Sequence, residues 1–158
     1  MPLSGSFRHS VWDPALIISQ IVAIQCIMYF FTGLLILLMH FLVGAHLSLD
    51  CVYKIEELNL KGVIGRTIIA IFLIIALLNA ASIWFLVGRT KLCLDFSTTI
   101  HILHLLFCWH YSGFFPKTAT WWITNILCVA ITCVCAEFLC LRSEMKAIPI
   151  GGGPKVDL

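Results

Sequence analysis

Charged side chains are scarce in this chain of 158 residues: it has 10 Lys and Arg and 8 Asp and Glu, which together make up 11% of the sequence. Soluble domains carry about 25% charged and about 45–50% apolar residues, whereas 61% of this chain is hydrophobic. The composition therefore excludes a water-soluble globule. The net charge of +2 is also too small for a protein that follows a nucleic-acid backbone, so nucleic acid is excluded as a partner.

Long polar stretches and paired-cysteine motifs are also lacking. The longest polar stretch, 44–66, is shorter than the roughly 40 residues that a stable domain needs, which excludes a separate soluble catalytic domain. None of the 8 cysteines forms a CxxC pair, so no zinc framework is expected. Cys51 is the one cysteine in the main polar loop and has no partner there, so a structural disulfide is not expected either. Cys93 and Cys140 flank apolar segments and are candidates for palmitoylation, although an unmodified thiol is the favoured alternative.

Four long apolar stretches make up most of the sequence. Each has about the 20 residues that a membrane-spanning helix needs: Ala15–Val43, Thr67–Val87, Phe96–Phe115 and Trp121–Leu141. Backbone groups in hydrocarbon must bond within their own segment, and no stretch alternates as a barrel strand does, so helices are the economical solution. The sequence predicts an all-α membrane protein with a four-transmembrane-helix bundle over residues 15–147.

The distribution of cations predicts the orientation of this bundle. An even number of spans places both termini on one side, and Lys and Arg are more frequent there: six against four. By the positive-inside rule the N-terminus 1–14 and the tail 148–158 are predicted to be cytosolic. The Gly- and Pro-rich tail is expected to be disordered. The segment 44–66 is then a lumenal loop, interpreted as a solvated connector, with a short surface helix as the alternative.

Polar side chains inside the spans are candidates for function. An ionisable group in a span costs at least about 2.5–3.5 kcal/mol, so it is expected to face the bundle interior or water. Counted at 1.5 Å per residue, these groups all fall in the cytosolic half. We therefore predict a polar cleft that opens to the cytosol and binds a partner. Its candidate residues are Trp12, Asp13, Gln20, Gln25, Trp84, Asp95, His101, His104 and Glu137.

Other interpretations of the same residues stay open. His101, His104 and Cys108 share one helical face, and with Glu137 they would make a zinc ligand set. The pattern is weak because an HExxH motif is missing, and we predict no metal and no cofactor. The favoured alternative is that the histidines form hydrogen bonds across helices. Asp95 could instead cap its helix, and Glu137 could extend toward Arg142 and the lipid headgroups.

Specific motifs carry a resemblance over residues 7–149. The resemblance includes a run without gaps from 93 to 149. The motifs are Phe7-Arg8, Val11-Trp12-Asp13-Pro14, Ser19-Gln20-Ile21-Val22, Gln25, Tyr29, Gly33-Leu34, Ser48-Leu49-Asp50, Gly65-Arg66, Cys93-Leu94-Asp95-Phe96, His101, His104-Leu105-Leu106, Cys108-Trp109, Phe115-Pro116, Thr120-Trp121-Trp122 and Glu137-Phe138-Leu139-Cys140. In these motifs the chain resembles the SYS family of Golgi multi-pass membrane proteins.

This resemblance implies a function. Members of the family are four-span Golgi proteins with cytosolic termini, and they act as the membrane receptor for an Arf-related small GTPase that carries an N-terminal acetyl group. The chain would then recruit this GTPase to the trans-Golgi and support traffic from endosomes. The predicted cleft would hold the amphipathic N-terminal helix of the GTPase. The residue roles in the cleft are inferred from the residues and not from the resemblance.

Two other classes of protein also use polar groups within the membrane. A small transporter or proton relay would need such groups through the full thickness of the bilayer. A zinc-dependent membrane enzyme would need His101, His104 and Glu137 around a metal with a bound water. We predict that the chain is not an enzyme, and the zinc content of the purified protein distinguishes these alternatives.

Overall fold

A computed structural model describes residues 13–44, 50–53 and 62–147, and Trp12 and the tail 148–158 lie outside them. Every regular element in the described residues is helical. The α-helices are α1 (Pro14–Val43), α2 (Asp50–Tyr53), α3 (Val63–Leu86), α4 (Cys93–Ser112) and α5 (Ala119–Ala147). A 3-10 turn, Thr90–Leu92, leads into α4.

Four helices in the described residues are long and apolar enough to cross a membrane: Pro14–Leu42, Val63–Leu86, Thr90–Ser112 with the 3-10 turn, and Ala119–Lys146. This confirms the predicted four-transmembrane-helix bundle. The orientation of the termini stays a prediction.

Local sequence sets the ends of these helices. Asp13 caps α1 because its Oδ1 accepts hydrogen bonds from the backbone N–H of Ala15 at 3.0 Å and Leu16 at 3.4 Å, and Pro14 suits the first helical position. Gly113 ends α4 before the predicted Phe115, since it adopts a φ of 72° that L side chains rarely accept. α5 continues past the predicted end at Leu141 because charged residues outside the hydrocarbon do not interrupt helical hydrogen bonding.

Hydrogen bonds between side chains and backbone carbonyls join neighbouring helices of the bundle. Gln25 of α1 reaches the carbonyl of Ile100 in α4, and Thr132 of α5 reaches the carbonyl of Ala76 in α3. The core between the helices includes Ile24, Ile83 and Ile100, which are fully buried. Large apolar side chains such as Phe30, Phe41 and Phe85 are exposed on the outside, as expected of a surface that faces lipid.

The loop between α1 and α3 contributes a short helix that packs on the bundle. The ring of Tyr53 in α2 lies 5.8 Å from the ring of Tyr29 and 5.3 Å from that of Tyr111, and Ser112 Oγ donates to the Tyr53 carbonyl at 3.2 Å. Burial raises the pKa of Tyr53 above its usual value, so its hydroxyl stays protonated. The predicted solvated connector is therefore wrong for residues 50–53, and the alternative of a short helix is the observed one.

Candidate functional site

His104 lies at the centre of a cluster of polar and aromatic side chains inside the bundle. Its Nδ1 lies 3.2 Å from the Tyr29 hydroxyl of α1, and its Nε2 lies 3.4 Å from Cys108 Sγ one turn along α4. The rings of Phe72 and Tyr53 lie within 5.6 Å and 6.4 Å of the His104 ring. Both ring nitrogens thus have partners and the ring is enclosed by aromatic side chains, so His104 joins three helices rather than facing lipid.

Two glutamines of α1 also bond to neighbouring helices. Gln20 Nε2 donates to the Leu86 carbonyl near the end of α3 at 2.7 Å. Gln25 Nε2 donates to the Ile100 carbonyl in the middle of α4 at 3.0 Å. Such bonds between spans contribute roughly 0.6–2 kcal/mol each. Both side chains therefore fix α1 against α3 and α4, and their amide donors are engaged inside the protein.

His101 has a local partner and lines a cavity. Its Nδ1 donates to the Ser97 carbonyl on the same helix at 2.8 Å. The adjoining cavity has a volume of about 30 Å³ and is bordered by residues of all four long helices. Its polar lining is Tyr29, Thr32, Asn79, His101, His104, Thr124 and Asn125.

This cavity is not the predicted cleft at the end that carries both termini. It lies at the middle of α1 and α3, and α5 contributes Trp121 and Cys128 from its first third. The cavity therefore extends toward the end of the bundle where α4 connects to α5. The prediction of the cleft relied on a count along each helix. Such a count gives the position of a residue along the helix axis but not the direction of its side chain, so it did not show which polar side chains share a space.

The two predicted carboxylates face outward instead. Asp95 and Glu137 are both exposed. Asp95 lies in the first turn of α4 without capping it, because α4 begins at Cys93 and has no side-chain cap. The Sγ of Cys133 lies 3.7 Å from Glu137 Oε1. Glu137 is one turn from Cys140, which contacts Cys93, so both carboxylates lie near the start of α4.

Hydrogen bonds and a contact between two cysteines join the helices at this end of the bundle. We call this group of residues the terminal platform; it consists of Trp84, Thr90, Cys93, Cys140, Ser143 and Glu144. Trp84 Nε1 donates to Ser143 Oγ at 3.0 Å, and both the N–H and the Oγ of Thr90 donate to Glu144, at 3.2 Å and 2.6 Å. The terminal platform thus ties the ends of α3 and α5 to the 3-10 turn. Sequence reasoning missed Thr90, Ser143 and Glu144, because partners 54 or 59 residues apart leave no local pattern.

The structure also changes the interpretation of the two cysteines predicted to reach the membrane surface. Cys93 and Cys140 are fully buried, and their sulfur atoms lie 3.6 Å apart. A thiol enclosed between two helices is not accessible for acylation. Hydropathy placed them at the ends of apolar segments, but α4 and α5 meet through these small side chains.

The residues of the proposed zinc set are not brought together. His104 and Cys108 are buried and adjacent, whereas Glu137 is exposed on the outside of α5. In the described ranges, no group of three or more His, Cys, Asp and Glu side chains could hold a metal ion. His104 instead forms a hydrogen bond across helices, as the favoured alternative predicts, whereas the bond of His101 is to a carbonyl on its own helix.

Comparisons with known proteins cover almost the whole chain. The family model described as "Integral membrane protein S linking to the trans Golgi network" matches residues 7–150. A Nematostella vectensis protein named Protein SYS1 homolog is 44% identical over 151 residues, which cover 96% of each chain. A Dictyostelium discoideum protein of the same name is 34% identical over 96% of this chain and 65% of its own length. The Saccharomyces cerevisiae protein named Protein SYS1 is 27% identical over 78% of this chain and 61% of its own length. No solved structure matches the chain.

Proposed function

Because this chain belongs to the SYS1 family of integral membrane proteins, we propose that it is a Golgi membrane receptor that recruits an N-terminally acetylated, Arf-related small GTPase to the trans-Golgi. In this role it supports traffic from endosomes to the Golgi. The proposal places both termini and the terminal platform in the cytosol, where the GTPase is found.

The physical need for such a receptor follows from the weakness of an acetyl anchor. A single myristoyl chain gives only marginal membrane binding, and an acetyl group offers far less apolar surface. A GTPase that carries only this cap and an amphipathic helix therefore requires a protein to hold it at the membrane. An exposed, rigid surface at the membrane boundary supplies that contact.

The observation that carries the proposal is the pair of exposed carboxylates beside the terminal platform. Glu137 precedes the end of α5 by ten residues, which is about 15 Å of helix, so it lies below the charged end of α5. A carboxylate facing lipid at this depth is costly, and a bound partner that donates hydrogen bonds to it would lower that cost. We assign Asp95 and Glu137 to contact with the amphipathic helix.

The remaining predicted residues divide into two roles in this proposal. Trp84 is 41% exposed and its Nε1 donates to Ser143 Oγ, so it offers an aromatic contact at the rim, together with Asp13 at the start of α1. Trp12, which lies outside the described residues, is assigned to the same contact as part of the proposal. Gln20, Gln25, His101 and His104 position the helices that carry this surface. The amide nitrogens of both glutamines, Nδ1 of His101 and both ring nitrogens of His104 have partners within the bundle, which suits support of the site better than direct contact.

Cells in which the gene for this protein is deleted test the proposal. In cells that lack it, we expect the acetylated GTPase to move from the Golgi to the cytosol, because the acetyl group alone does not hold it at a bilayer. Fluorescence microscopy of the tagged GTPase measures this change, and re-expression of the chain restores the Golgi signal. Expression of an unrelated four-span Golgi protein is the control. A GTPase that stays at the Golgi in the absence of the chain contradicts the proposal.

A further inference from the structure

The cavity inside the bundle contains a polar atom whose partner the protein does not supply. Asn79 of α3 is 1% exposed, and its Oδ1 has no hydrogen-bond partner among the described residues. Leaving a buried acceptor unsatisfied costs about 1–3 kcal/mol, and hydrocarbon outside the bundle offers no compensation. Asn79 lines the cavity, so a donor in that space would satisfy it.

A second acceptor lines the same space. The Ser97 carbonyl can only accept, so the contact of 2.8 Å with His101 Nδ1 requires the proton on Nδ1. In the neutral ring Nε2 is then an acceptor. His101 lines the cavity from α4, opposite helix α3. The cavity therefore brings together two acceptors from different helices.

The other hydroxyl groups that line the cavity do not supply these donors. Thr32 Oγ1 donates to the Met28 carbonyl at 2.7 Å, and Thr124 Oγ1 donates to the Thr120 carbonyl at 2.8 Å. The Tyr29 hydroxyl is engaged with His104. Each of these groups keeps oxygen lone pairs that can accept a hydrogen bond. The hydroxyl groups are thus engaged elsewhere, and the amide of Asn125, which also lines the cavity, does not bond to Asn79 Oδ1 either.

The size of the cavity decides which donor fits. Its volume of about 30 Å³ exceeds the roughly 10–15 Å³ that one water needs and is far below the 300–1,000 Å³ of pockets for small molecules. A buried water also requires two to four polar partners, and the lining provides them.

We infer that this cavity is a binding site for water, in which one molecule donates its two hydrogens to Asn79 Oδ1 and His101 Nε2 and so links α3 to α4. The link complements the direct bond between Tyr29 and His104, which joins α1 to α4. The polar lining of the cavity then forms a water-mediated contact between helices inside the bundle. It is independent of the recruitment of any partner.

Radiolytic footprinting of the purified full-length chain in lipid nanodiscs tests this inference. Hydroxyl radicals formed from internal water oxidise adjacent side chains, and methionine is converted to the sulfoxide. α1 carries two buried methionines: Met28 lines the cavity at 7% exposure, and Met39 at 4% exposure does not. We expect Met28 to be oxidised about tenfold faster than Met39, because only Met28 adjoins bound water. Mass spectrometry of the digested protein gives both rates.

A variant that removes the unsatisfied acceptor provides the matched control. Asn79→Leu replaces the unsatisfied amide with a hydrocarbon side chain of similar size, and we expect Met28 oxidation to fall to the rate of Met39. Circular dichroism checks that this variant is folded, and the comparison of the two methionines in the unaltered chain does not depend on it. Equal rates at Met28 and Met39 in the unaltered chain would overturn the inference.

Discussion

Replacing Asp95 and Glu137 together with alanine is expected to release the GTPase into the cytosol while the membrane protein remains at the Golgi. Both carboxylates are exposed near the start of α4, so their loss leaves the buried bundle unchanged. Each contact with a charged group contributes roughly 1.4 kcal/mol or more, and we therefore expect affinity to fall at least about tenfold. The measurement is the Golgi fraction of the tagged GTPase in cells that express the double variant in place of the original chain.

A matched control separates the carboxylates from a general effect of altered surface charge. Lys117 is also exposed, but it lies in the connection between α4 and α5, at the opposite end of the bundle. The Lys117→Ala variant is expected to recruit the GTPase normally. Full recruitment by the Asp95→Ala, Glu137→Ala variant, with the membrane protein present at the Golgi, would rule out these two residues as the contact site.

Replacing His104 with alanine is expected to cause the largest loss of stability among the polar positions in the spans. The change removes the partner of the Tyr29 hydroxyl and the ring that packs between Phe72 and Tyr53. It also enlarges the cavity that His104 lines. Deleted core volume and a lost hydrogen bond together cost about 2–4 kcal/mol. Thermal unfolding of the purified protein in detergent measures the decrease.

The neighbouring histidine gives the comparison for this prediction. His101 bonds to a carbonyl on its own helix, so His101→Ala does not remove a direct bond between helices and is expected to lower the midpoint of unfolding much less. A Tyr29→Phe, His104→Ala cycle gives the coupling between the two side chains, which we expect to be about 0.6–1.7 kcal/mol. Equal destabilisation by His101→Ala and His104→Ala would contradict the assigned role of His104.

Hydropathy was sufficient to predict the four long helices, because a span must be apolar along nearly its whole length. It was less reliable at the helix ends. Gly113 terminates α4 through its backbone conformation, and α5 extends through Arg142 and Lys146 because helical bonding does not depend on hydropathy. The motifs also identified the family, since they combine residue identity with spacing in a way that composition alone does not.

The candidate site could be predicted only in part. Counting residues correctly placed Asp95 and Glu137 near the start of α4, but it did not show that they face outward while His104 faces inward. The rotation of each helix is set by packing against its neighbours, and a single sequence does not contain those contacts. The bond between Thr90 and Glu144, and the position of Tyr53 beside Tyr29, depend on the same long-range packing.

Capture of the GTPase by its N-terminus tests the central claim most directly. The purified full-length chain is offered two peptides with the sequence of the GTPase N-terminal helix, one acetylated and one with a free amine. An acetylated end keeps an amide N–H that can donate to a carboxylate and, unlike a free amine, carries no charge that must lose water at the membrane boundary, so we predict that the acetylated peptide binds at least about tenfold more tightly. Equal capture of the two peptides, or capture of neither, would contradict the proposed receptor.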